Sequence, residues 1–184
     1  MTSDQQNCER RFGPLPLADM TAEQRAVADD IRNGPRQSTT GLQGPFDALL
    51  HCPPLADAVQ RVGEHVRFSS TLPTKLNEMA IIMTARFWDS SFEWYAHRRM
   101  ALDAGLDLAI IHSIESRVTP PLDGDGTAVY AFTSQLLESG TVDDDAWTAV
   151  LERWGKEGAI NLIGTIGYYC LISFILNVDR YPTP

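Results

Sequence analysis

Cysteine is scarce in this chain: three in 184 residues, at Cys8, Cys52 and Cys170. No two of them form a CxxC pair, which excludes a readable redox dithiol or zinc knuckle. The odd count, behind a polar N-terminus with no apolar stretch (MTSDQQNCERRFG), predicts reduced thiols and a cytoplasmic setting. Basic residues are also short, 15 against 24 acidic ones, for a formal charge of −9. Such a surface repels phosphate backbones and anionic lipid, so neither nucleic acid nor membrane is an expected partner. His51, His65, His97 and His112 share no HxxxH or HxH spacing, so no metal site is expected. The longest apolar run, LIGTIGYYCLISFIL at residues 162–176, is 15 residues and holds Gly164 and Gly167. It falls short of the ~20 residues needed to span a bilayer and reads as a buried core or subunit-interface helix.

Alternating strand patterns are nearly missing as well, while helical spacing and helix caps recur. A length of 184 residues suits one domain over 1–184, with an extended arm at 1–20 and an extended tail at 178–184. Thr21-Ala-Glu-Gln24 is a capping box opening a helix over 21–32. The polar loop from Asn33 to Pro45 is too long for a tight turn, and loops of that length often carry function. A short helical piece over 46–51 precedes a helix over 54–68 with Leu55, Val59, Val62 and Val66 on its apolar face. After a stop and new cap at 72–74 comes an apolar helix with Met79, Ile82, Met83 and Phe87. Asp89-Ser90 breaks it, and the next helix stops at Gly105. Further helices are expected over 107–117, 127–138, 143–157 and 159–177, making an all-α chain of about eight helices.

The chemistry concentrates in WDSSFEWYAHRRMALDAG, residues 88–105. Glu93 and His97 are four apart, neighbours on one helical face, and Ser90 lies two turns before His97. Glu78 sits on the preceding helix, which packs antiparallel if Asp89-Ser90 is a sharp turn. A carboxylate beside an imidazole sets its tautomer and makes a usable acid–base pair. A purely structural origin remains open, because Ser90-Ser-Phe-Glu93 also matches a capping box and Glu93–His97 an ordinary surface pair. Trp88, Trp94, Tyr95, Tyr168 and Tyr169 are residue types that more often fill cores or interfaces than stack on substrates.

The run from Phe46 to Ile114 resembles the carboxymuconolactone decarboxylase family of the alkylhydroperoxidase D-like superfamily. The resemblance is carried by GPFDALLHCPPLADAVQRVGEHVRF, by LPTKLNEMAIIMTARFWDSSFEWYAHRRMALDAGL and by the late GYYCLISFILNV. It implies an all-α, alkylhydroperoxidase D-like helical bundle that assembles as a homo-oligomer: dimer, trimer or hexamer. The peroxidase branch of that superfamily carries a glutamate, a CxxC and a histidine four residues after the second cysteine. Aligned on Glu78 and His97, the cysteine positions fall on Ser90 and Glu93, so the acid–base residues are kept and both thiols are gone. Thiol-dependent peroxide reduction is therefore disfavoured.

The decarboxylase branch needs no metal or organic cofactor and acts on a small carboxylated lactone from aromatic-compound breakdown. By that resemblance His97 is the acid–base group, oriented by Glu93 or Glu78. Ser90 and Trp88 are candidate substrate contacts, and Arg67 or Arg86 would hold a substrate carboxylate. The implied activity is a cofactor-independent lyase working by proton transfer on a small carboxylated, cyclic or lactone molecule. Two alternatives stand beside it: a peroxidase, and a non-catalytic oligomer that binds small molecules.

Overall fold

The computed structural model describes residues 9–36 and 42–184, and among these it contains eight α-helices and no strand. The helix α1 (Ala22–Asn33) starts at the expected capping box: the Thr21 hydroxyl accepts from Gln24 N, and the Gln24 side chain accepts from Thr21 N. The short α2 (Pro45–Leu49) follows, then α3 (Pro53–Glu64), which opens on two prolines where a missing N–H costs nothing. Its expected apolar face divides. Val59 and Val66 are buried, but Leu55 and Val62 are each 48% exposed. The buried face is instead Ala56, Val59, Gln60 and Gly63, packed against α1 and the last helix.

A π-helical turn, His65–Ser69, ends this segment. Its widened backbone is held by Asn77, whose Nδ2 donates to Val66 O at 2.8 Å, while Thr165 Oγ1 donates to Asn77 Oδ1 at 2.9 Å. The turn thereby fixes the position of Arg67 relative to α4 (Thr74–Phe87). Residues 76–85 of α4 are all buried, which makes it the central helix. Phe87 was expected on the inner face but is 37% exposed, because α4 ends there and Asp89 turns the chain with φ 49°. The chain returns as α5 (Ser91–Asp103), packed along α4.

Asp107 caps α6 (Leu108–Glu115), and Asp123 caps α7 (Gly124–Ser139), which begins three residues earlier than the expected 127 because Asp123 Oδ1 accepts from Gly126 N. The last helix, α8 (Asp144–Asp179), joins the two segments expected at 143–157 and 159–177. It breaks at Gly155 (φ 65°, ψ −172°), a conformation open to glycine and closed to most other residues. By length and composition α8 could cross a membrane, but 56% of its most apolar stretch is packed inside the chain.

Two apolar clusters flank α4. One gathers α4, α6, α7 and the first part of α8; the other gathers α1, α2, α3 and the C-terminal part of α8. The expected arm binds its own chain: Arg10 pairs with Asp179 and Asp47, and Phe12 N donates to Asp179 Oδ1. The tail begins after Arg180 rather than at 178, because helical hydrogen bonding persists to Asp179. Tyr181 then folds inward, its hydroxyl accepting from Gly44 N at 2.9 Å and its ring meeting Phe92 edge-on. Gly44 has φ 77° and lies against Phe92, where a β-carbon would come within 2.7 Å of the ring.

Candidate active site

His97 lies in the middle of α5 and Glu78 in the first half of α4, and the antiparallel return at residues 88–90 sets them side by side. His97 Nδ1 is 2.7 Å from Glu78 Oε2. A carboxylate oxygen accepts, so the Nδ1–H donates and the tautomer follows. That leaves Nε2 for chemistry. It lies 3.1 Å from the Tyr169 hydroxyl of α8 and 3.4 Å from Glu93 Oε2, one turn back on α5. The Tyr169 contact is a hydrogen bond, whereas the Glu93 distance is an ion-pair approach. All four side chains are buried.

Burial shapes the electrostatics. It raises the Glu93 carboxyl above the ordinary range, opposed by the His97 imidazole and the Arg67 guanidinium and reinforced by Glu78. It lifts the Tyr169 hydroxyl well above the usual phenol range, so that group stays a donor at physiological pH. Tyr168, beside it on α8, is raised by the same cause, and Arg36 partly offsets the shift by charge and a hydrogen bond.

Glu93, His97, Tyr168 and Tyr169 face a chamber of about 30 Å³ that Arg36 and Arg67 also line. That is room for about one or two waters. Glu78 does not line it; it stands behind the imidazole as an orienting group. The two carboxylates that sequence left interchangeable therefore have separate positions. Arg67 reaches the chamber with its Nη2 3.3 Å from Met100 Sδ and its guanidinium over the Phe68 ring. A thioether is a weak acceptor, so an anion entering the chamber would be a better partner for this cation.

Three other candidates do not line the chamber. Ser90 is the N-cap of α5 with an extended backbone, so helical phase does not aim it at His97. It also forms no side-chain cap, which removes the capping-box explanation of Ser90 and Glu93. Its buried Oγ has no hydrogen-bond partner. Arg86 leaves the far end of α4 to bind Glu115 O and Asp89. Trp88 caps α4; its Nε1 donates to Cys170 Sγ at 3.1 Å and its ring meets Phe174 edge-on. Sequence reasoning passed over Tyr169, Tyr168 and Arg36 as site residues. The one available signal was the length of the loop that carries Arg36. Among the described residues, no group of three or more His, Cys, Asp or Glu is arranged to hold a metal ion.

No protein-family model matches the chain, and no curated protein matches it. Among solved structures it is similar to a protein of unknown function from Agrobacterium tumefaciens that carries the provisional description of antioxidant defence protein AhpD. The TM-score is 0.66 at 16% sequence identity, over 77% of this chain and 99% of that one. At that identity the likeness shows the fold: this chain has the alkylhydroperoxidase D-like helical architecture that its sequence resemblance implies.

Proposed function

Taking the alkylhydroperoxidase D-like fold as the premise, we propose that this protein is a cofactor-independent acid–base enzyme, a lyase of the decarboxylase kind acting on a small carboxylated substrate. The observation that supports it best is the buried chain Glu78–His97–Tyr169 with Glu93 beside Nε2 at a narrow chamber. Arg67 receives the substrate carboxylate beside that chamber. As CO₂ departs, the electrons of the broken C–C bond move into the substrate's own conjugated carbonyl, forming an enolate. The imidazolium Nε2–H then delivers its proton to carbon, leaving neutral His97 held by Glu78. Tyr169, kept protonated by burial, donates to Nε2 or to the developing enolate oxygen. Glu93, raised by burial, exchanges the proton that recharges the imidazole.

The chamber favours a narrow reactive end; a ring such as a lactone enters only when a wall side chain moves. Antioxidant defence, the provisional role of the Agrobacterium protein, finds less support here as thiol chemistry, because no CxxC is present. Cys170 is free, but burial raises its thiol, which disfavours the thiolate that peroxide reduction needs. Homo-oligomerisation is part of the same proposal. Ile160, Ile163, Leu171, Phe174 and Val178 form an exposed apolar stripe on α8, with Gly167 open among them. An antiparallel second copy would set Leu171 over the partner's Gly167.

The test is turnover on a panel of β-keto carboxylates and their vinylogues, read as CO₂ release and solvent-deuterium incorporation. His97→Gln should lower the rate by about 10²–10⁴-fold, and Cys52→Ser with Cys170→Ser should leave it unchanged. No turnover across the panel, together with cysteine-dependent peroxide reduction, would replace this proposal with the redox one.

A further inference from the structure

A groove of about 860 Å³ runs along the outer side of α5. It shares Gln43, Phe92 and Ala96 with the chamber, so the two spaces meet along those side chains. The junction carries a cation: Arg67 lines the chamber, and it touches Met100, which lines the groove. Beyond the junction the groove is apolar at Trp94, Tyr95 and Met100 and charged at Arg98, Arg99 and Glu115. Arg99 is engaged by Asp103 at 3.1 Å. Arg98 differs, because its Nε is enclosed and has no hydrogen-bond partner. Arg98 as a whole is only partly buried and lines the groove without an ion pair among the described residues, so its charge is left for an anion supplied by a ligand.

We propose that this groove is the subsite for the far end of the substrate, and that the substrate is an elongated dianion. One carboxylate reaches Arg67 at the chamber, an apolar linker lies over Met100 and Tyr95, and a second anionic group is held by Arg98. The placement of the reactive end rests on the proposal that the His97 chamber is catalytic; the second anionic contact does not. The arrangement also reconciles a chamber of about 30 Å³ with a groove of about 860 Å³. Only the narrow reacting end has to enter the smaller space.

Calorimetric titration of the full chain with glutarate, adipate, suberate and sebacate, against monocarboxylates of matched length, tests this directly. Dicarboxylates within one length window should bind about tenfold more tightly than their monocarboxylate counterparts. Arg98→Gln should abolish that advantage and leave monocarboxylate affinity unchanged. Arg98→Lys, which keeps charge but not the planar fork, should retain part of it. Equal affinity of the two series for the native protein would overturn the subsite, as would an advantage that survives in Arg98→Gln. Failure of both series to bind would overturn it too. The titration needs no turnover, so a His97→Gln chain that keeps the dicarboxylate advantage while no candidate is converted counts against the acid–base mechanism alone.

Discussion

Two charge clusters sit near opposite ends of α4, each setting carboxylates against nitrogen bases or cations. Around Glu78 the cluster is enclosed: Glu78, His97 and Glu93 are all buried, with Tyr169 closing the imidazole's second nitrogen. Around Arg86 it is open: Arg86 and Arg117 both pair with Asp89, whose side chain is 69% exposed. Water screens the second cluster and can replace any partner that is lost. Little solvent reaches the first, so each group there depends mainly on its neighbours for charge compensation. The difference separates a helix-end clasp from a site able to move protons.

Glu78→Ala should give the largest effect, because it leaves the imidazole Nδ1–H buried without its acceptor. A loss of roughly 3 kcal/mol in denaturant-unfolding stability is expected, and a loss under 1 kcal/mol would erase the contrast with the surface cluster. Glu93→Gln sharpens it through pH. Burial raises the Glu93 carboxyl, so its favourable contribution is complete below the unfolded carboxylate value of about 4.3 and declines as pH rises through the folded value. The variant should therefore melt a few degrees higher than the native chain near neutral pH and together with it near pH ~4. A lower melting temperature near neutral pH would mean that the ionised Glu93 stabilises an imidazolium instead.

Tyr169→Phe removes one buried hydrogen bond and should cost about 1 kcal/mol. It should also move the His97 Cε1 proton resonance in NMR at a fixed pH, and an unmoved resonance would remove Tyr169 from the network. Asp89→Ala, in the open cluster, should change stability by less than about 1 kcal/mol. A larger loss would show that the clasp between α4 and α6 holds the fold as firmly as the buried group does.

Much of this is legible in the amino-acid sequence alone. The Thr21 capping box, the stop at Gly105 and the pairing of Glu78 with His97 across a sharp turn depend on local signals or on one short hairpin. The misplacements share a cause. Apolarity alone points Leu55 and Val62 inward, but α3 buries Ala56 and Gly63 instead, the latter against the Arg36 and Tyr168 side chains. Arg86 and Trp88 adjoin the motif in sequence, yet both sit at the C-terminal end of α4, where other partners hold them. Tyr169 was hidden because it comes from α8, 72 residues from His97, and nothing local links the two.

Helix propensity, capping and periodicity act over a few residues, so the amino-acid order by itself determined the all-α character and the face carrying Glu93 and His97. Only the tertiary structure decided that Glu78 orients while Glu93 faces the chamber, that Tyr169 takes the remaining nitrogen, and that Arg67 joins the site while Arg86 does not. Those outcomes depend on burial and on contacts between helices far apart in the chain. A pattern of residues carries neither until the helices pack.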